Sequence, residues 1–232
     1  MIAAAIAYLG LAIFVAGMVW RVVTWARAPA PFPIALTCGQ QKSLEGIRAA
    51  WLENPWTRAG AACRVALEAL LFRSLWRNSR AELLAGPRFV YRRDRWLWGG
   101  ALLFHGCLLW VLVGHVRLFL DRAVAGPANR LVDAGLLAGL AFLLLRRVLD
   151  GRLRYATLAA DYVPLALLAT AGSSGVLMRW WSHADAGLLF YIHVAAASAL
   201  AASIPFTKLS HMAGMFFSPT HNEPSRSRAE RQ

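Results

Sequence analysis

Residues Trp96–Val116 read WLWGGALLFHGCLLWVLVGHV, 21 positions without Asp, Glu, Lys or Arg. At about 1.5 Å of rise per residue the run covers roughly 30 Å as a helix, the thickness of a bilayer's hydrocarbon. Its two leading tryptophans, Trp96 and Trp98, stand where an interfacial aromatic belt belongs. The run predicts a transmembrane helix, and segments of the same kind lie on both sides of it. Residues 2–20 are uncharged, and the first basic residues, Arg21 and Arg27, follow the run instead of preceding it. A cleaved leader has the opposite order, so this segment is expected to remain as a span with its N-terminus outside. Three more spans are predicted at about 131–147, 155–178 and 186–208. The first contains Asp133 and ends at Arg146 and Arg147, the second carries Asp161 and Pro164, and the third has Pro205 near its end.

The composition agrees. The chain has 232 residues, 58% hydrophobic and only 16% charged, yet its 25 Lys and Arg against 12 Asp and Glu leave a net charge of +13. A soluble nucleic-acid binder would spread such charge over a surface with more polar residues, whereas here basic residues alternate with apolar runs. With the N-terminus outside, 21 of the 25 basic residues fall on the inner side and four (Arg117, Arg122, Arg130 and Arg179) on the outer. This asymmetry is the positive-inside signature. The predicted fold class is an all-α integral membrane protein with five transmembrane helices, N-out and C-in, forming a single domain over 1–232. Disorder and a disulfide scaffold are excluded by the same arithmetic. Cys38, Cys63 and Cys107 show no paired spacing and no c-type haem attachment motif, and are expected to be packing thiols.

The long cytoplasmic loop, 21–95, opens with Pro29, Pro31 and Pro33. Its middle, Thr57–Arg77, sets Leu67, Leu70, Leu71 and Leu75 at helical spacing among Arg64, Glu68 and Arg73, which predicts an amphipathic helix. Two compatible readings apply: a helix held on the inner leaflet by its basic residues, and a platform for a cytoplasmic partner. The tail, 212–232, is polar and is expected to be disordered or bound to a partner.

Four of the six histidines sit in or at the ends of two spans: His105 and His115 in the second, His193 in the fifth and His211 just beyond it. Ionisable and ligating groups are costly in lipid, so four in two helices call for one explanation. Bis-histidine ligation of b-type haem supplies it, because a low-spin iron takes two neutral imidazoles from opposite sides. The second and fifth spans run in opposite directions, which sets His115 against His193 at the outer level and His105 against His211 at the inner. The rises differ, about 15 Å for ten residues and about 27 Å for eighteen, so tilt and a bend at Pro205 are needed. On spacing alone His183, ten residues before His193, competes with His211. His221 lies in the tail. Gly106 and Gly114 beside two of the histidines, and AAASALAAS (Ala195–Ser203), make smooth faces that suit a flat cofactor or another helix equally.

At LFHGCLLWVLVGH (Leu103–His115) and FYIHVAAASALAASIPFTKLSHM (Phe190–Met212) the chain resembles the gamma (cytochrome b) subunit family of respiratory nitrate reductase, in both histidine spacings and in the order of five spans. It resembles most closely the DsrM-type membrane cytochrome b of sulfite-reductase-linked electron-transfer complexes. That likeness lies in LFRSLWR (Leu71–Arg77), LLLRRVLDGRLRYATLAADY (Leu143–Tyr162), SGVLMRW (Ser174–Trp180) and FFSPTHN (Phe216–Asn222). The connection Arg179–Asp185 is shorter than that resemblance leads one to expect.

The resemblance implies two haem b groups, the outer on His115 and His193 and the inner on His105 and His211, with His183 a loop residue. It implies an electron-transfer subunit in a bacterial inner membrane that exchanges electrons between quinone or menaquinone and a cytoplasmic iron–sulfur, heterodisulfide-reductase-like subunit, with further membrane or periplasmic subunits possible in the complex. Any catalysis of its own would be quinol–quinone redox, in sulfur metabolism or another respiratory chain. Arg130 and Asp133, at the outer mouth of the third span, are candidates for the quinone site; a snorkelling Arg and a helix-start Asp are the plain alternative. Arg117 and Arg179 lie at the depth of haem propionates or of lipid headgroups. The rival functions are a gamma subunit of a nitrate-reductase-type molybdoenzyme, a non-redox membrane anchor, and a transporter, for which internal repeats are expected and none is seen.

Overall fold

The computed structural model describes residues 1–27, 52, 55, 57–78, 80–84, 88–92, 94–120, 129–180 and 186–214. Cys38, His183, His221 and the tail beyond Gly214 lie outside the described residues. The chain divides into two units, Met1–Arg21 with Asp94–Ser210, and Val22–Arg93 with His211–Gln232.

In the first unit the dominant elements are five long helices: α1 (Ile2–Arg27), α4 (Arg95–Leu120), α5 (Asn129–Leu149), α7 (Ala159–Trp180) and α8 (Ala186–Ser203). A short helix, α6 (Gly151–Ala156), joins α5 to α7. Among the described residues, three stretches are long and apolar enough to cross a membrane: Ile2–Arg27, Arg95–Val116 and Gly187–Phe206. α5 and α7 match them in length, at 21 and 22 residues, but carry charges at their ends. Two expected boundaries move. Tyr155 belongs to α6, because Asp150 caps that helix by accepting the amide protons of Arg152 and Leu153, and α7 begins only at Ala159. The fifth long helix ends at Ser203 and passes into two 3₁₀ turns, Ile204–Phe206 and Lys208–Ser210, where Pro205 has no amide hydrogen to continue the helix.

The outer surface of this unit is apolar. Tyr8, Leu9 and Leu11 on α1, Leu109, Trp110 and Leu112 on α4, and Leu188, Phe190 and Tyr191 on α8 are all exposed. Burial goes instead to small residues that let helices approach. A Cβ on Gly10 of α1 would stand 2.8 Å from Cβ and carbonyl oxygen of Ser198 on α8, and one on Gly17 would stand 2.8 Å from Pro205. Against α5, Gly100 lies under Phe142, Phe104 over Gly139, and Cys107 over Gly135. These three pairs descend one helix while climbing the other, so α4 and α5 are antiparallel. Phe104, Leu136 and Leu140 form the buried centre between them, with Leu165 and Leu168 of α7 packed against it.

Each pair of successive long helices after α1 is joined at its free end by an ion pair. Asp94, before α4, meets Arg146 at the end of α5 at 2.6 Å; Asp133 on α5 meets Arg179 at the end of α7 at 3.2 Å; Asp161 on α7 meets Lys208 beyond α8 at 2.6 Å. In every case an acid from the start of one helix reaches a base at the end of the next. The four helices α4, α5, α7 and α8 therefore alternate in direction.

In the second unit the amphipathic segment is not one helix. It divides into α2 (Arg58–Leu71) and α3 (Arg73–Asn78), because Phe72 adopts a left-handed conformation, φ 48°, and ends the first helix. The buried Glu68 holds the corner by accepting the amide and hydroxyl protons of Ser74 at 2.8 and 2.7 Å. At the start of α2 the Thr57 hydroxyl accepts the Gly60 amide. An antiparallel two-stranded ribbon follows, β1 (Arg80–Leu84) and β2 (Arg88–Arg92), with Arg80 opposite Arg92 and Leu84 opposite Arg88. The ribbon is an addition to the expected all-helical fold. A further turn of helix, α9 (His211–Gly214), belongs to this unit.

Candidate functional site

His115 lies in the last third of α4 and His193 in the first half of α8, so the alternation of helix directions brings them to the same end of the first unit. Their rings face each other with centroids 5.9 Å apart and planes inclined by 17°. His115 Nδ1 is 2.8 Å from the Val111 carbonyl, one turn back on its own helix. His193 Nδ1 is 2.8 Å from the carbonyl of Ala171, on the neighbouring helix α7. A carbonyl only accepts, so Nδ1 carries the proton in both rings and Nε2 keeps its lone pair. That is the tautomer of a metal-ligating imidazole whose other nitrogen is anchored.

The separation of the two rings is one that a six-coordinate iron between two imidazoles would have: with metal–nitrogen bonds of roughly 2.0–2.1 Å, ring centroids on either side of one iron stand about 6 Å apart. A metal ion held by protein alone is a poorer match. Among the described residues no group of three or more His, Cys, Asp or Glu side chains gathers as such an ion would need.

His105, ten residues earlier on α4, makes the same self-anchoring bond, Nδ1 to the Ala101 carbonyl at 2.8 Å, and its ring meets Phe104 edge-on. His211 opens α9 and belongs to the second unit. Gly106 and Gly114, beside the two histidines of α4, have open space where a Cβ would point. The small face of α8 is partly used for helix packing, since Ser198 receives Gly10 of α1.

Asp133 is 1% exposed, and both its oxygens are engaged: Oδ1 by Arg179 at 3.2 Å and Oδ2 by the indole Nε1–H of Trp180 at 3.2 Å. It lies at the same end of the helices as His115 and His193. Sequence reading picked out Asp133 and Arg179 separately; the contact between them, and Trp180, were not foreseen. Arg130 is exposed on the first turn of α5. Arg117 is on α4 where only the backbone is described. Cys63 and Cys107 are free thiols, Cys107 packing on Gly135.

No family model matches the chain, and no solved structure matches it. Two curated relatives do. The "Hdr-like menaquinol oxidoreductase cytochrome b-like subunit" of Archaeoglobus fulgidus is 35% identical over an alignment covering 97% of this chain and 80% of the relative. The protein of the same name from Archaeoglobus profundus is 33% identical, over 98% and 80%.

Proposed function

This chain belongs to the family of Hdr-like menaquinol oxidoreductase cytochrome b-like subunits, and on that footing we propose that it is a dihaem b subunit moving electrons across a membrane between menaquinol and an Hdr-like iron–sulfur partner. Membership of that family, with three helices apolar enough to cross a membrane, supports a membrane protein of quinone-linked electron transfer. The observation that supports the finer reading is the close pair of His115 and His193, 5.9 Å apart, each with Nδ1 held by a carbonyl so that Nε2 is left as the ligating nitrogen. In this reading they hold the outer haem. His105 and His211 hold the inner one, a pairing that rests on the sequence spacing and on the matching Nδ1 anchor of His105. Haem b would supply the one-electron chemistry; the chain supplies ligands, their tautomers and a low-dielectric surround.

Five spans, N-out and C-in, complete the proposal. The three strongly apolar helices are joined by α5 and α7, whose terminal charges are matched by the ion pairs at Asp94, Asp133 and Asp161. Quinol exchange is assigned to the outer end, where Arg130 is exposed and Asp133 is held between Arg179 and Trp180. The relatives' names favour an Hdr-like partner over a molybdenum oxidoreductase, and electron flow serving sulfur metabolism is part of the same proposal.

The test is optical. The purified chain should show a dithionite-reduced b-type band corresponding to two haems per chain. Replacing His115 or His193 by Ala should remove one haem, about half of the band, and leave the other. A wild-type chain without the band, or full haem content in both variants, overturns the proposal.

A further inference from the structure

His193 differs from the other histidines of the first unit in what holds it. His115 and His105 donate to carbonyls of their own helix, four residues back, whereas His193 donates to a carbonyl of α7. The surface of α7 at that point is the segment Ala171-Gly172-Ser173-Ser174-Gly175. Ser174 is 4% exposed, and its Oγ is 2.6 Å from the Thr170 carbonyl, 3.1 Å from the Ala171 carbonyl and 3.4 Å from His193 Nδ1. A hydroxyl has one proton and two lone pairs. The short contact takes the proton to Thr170, which leaves a lone pair for the imidazole N–H as a second, longer acceptor beside Ala171. One residue further on, a Cβ at Gly175 would lie 3.1 Å from His193 Cε1 and 3.2 Å from Nδ1. A side chain at this position would press on the ring, which would have to shift by a few tenths of an ångström to make room.

We infer that Ser174, with Gly175 beside it, is a positioning residue that sets the ring orientation and basicity of His193, and so biases the outer haem toward its oxidised form relative to the inner one. The inference rests on the reading of His193 as a haem ligand. An added acceptor at Nδ1–H makes the imidazole a stronger donor, which favours the ferric iron. The same contact fixes the ring plane from α7, so the outer site is tied to a helix that contributes no ligand of its own.

The experiment is a redox titration of the purified haem-loaded chain, followed at the b-type band and by low-spin electron paramagnetic resonance. Ser174→Ala removes the acceptor. One midpoint should rise, by up to about tenfold in the equilibrium constant for reduction, which is ~59 mV for one electron, and the other should stay. Ser174→Thr keeps the hydroxyl and should titrate near wild type, while Ser174→Val, of similar bulk, should follow Ala. Gly175→Ala should shift the resonance of one haem by turning its ligand. Wild-type potentials in both the Ala and Val variants overturn the inference, and so does loss of one haem in Thr and Val alike while Ala titrates as wild type. Those outcomes leave the two-haem reading intact. A wild-type chain lacking haem, or a His193→Ala variant that keeps both, removes the ligand assignment itself.

Discussion

Asp133 is almost fully buried, and its charge is met by one guanidinium and one indole N–H. Removing either side of a buried pair costs about 3–5 kcal/mol, because the charge left behind is unmatched. Arg179 is 38% exposed, which moves the expectation toward the lower figure. Asp133→Ala and Arg179→Ala should each lower the midpoint of thermal unfolding in detergent, and the double variant should lose less than the sum of the two. The pair of Asp161 with Lys208 is the contrast: the Lys208 side chain is 71% exposed, so Lys208→Ala should cost under about 1 kcal/mol by the same assay. At this scale the approach of His115 to His193 was legible because histidines in an apolar run stand out without any knowledge of packing, whereas the pairing proposed for His105 and His211 still rests on their spacing. Ser174 and Trp180 were not legible, since a serine and a tryptophan near a helix end fit many roles and only the contact with His193 or Asp133 distinguishes them.

Helix α1 touches α8 through Gly10 and the turn that follows α8 through Gly17, seven residues apart on one face. Gly10 meets backbone and Gly17 a proline ring, neither of which can turn aside as a flexible side chain can. Gly10→Val should overpack the contact and cost about 1–3 kcal/mol, seen as a lower unfolding midpoint. Gly99 on α4 has open space at the same test position, so Gly99→Ala should leave the midpoint unchanged or raise it, alanine being the better helix former by about 1 kcal/mol. Among elements, hydropathy located α1, α4 and α8 because their apolar runs are long, and α5 and α7 less sharply because charges stand near their ends. The division at Phe72 left no trace in composition; it depends on Glu68 reaching Ser74 across the corner. The ribbon did leave one, the Gly86-Pro87 dipeptide ahead of a short run with Phe89, Val90 and Tyr91, a turn signal that the basic character of the loop obscured.

Across the whole molecule the charge asymmetry makes a claim about sides. Reporter fusions placed after Arg27 and after Arg154 should report the cytoplasm, and fusions after Arg122 the opposite side; the same compartment for all three would overturn the five-span arrangement. The proposed sidedness rests on counts of Lys and Arg, which need no coordinates. Which helix neighbours which was not legible in the sequence, because α5 and α7 find partners through individual residues, Gly100 to Phe142 or Asp133 to Arg179. Those ion pairs also bear on how the chain is made. A charged side chain enters lipid at a cost of about 2.5–3.5 kcal/mol at mid-membrane, less near the ends, so α5 or α7 alone is a poor substrate for the insertion machinery. Each becomes acceptable when the following helix arrives with the opposite charge. A nascent chain stopped after Leu149 should therefore hold α5 less firmly than one extended through Trp180, as alkali extraction from membranes would measure, and biogenesis should proceed hairpin by hairpin as each charge is neutralised by the next segment to emerge.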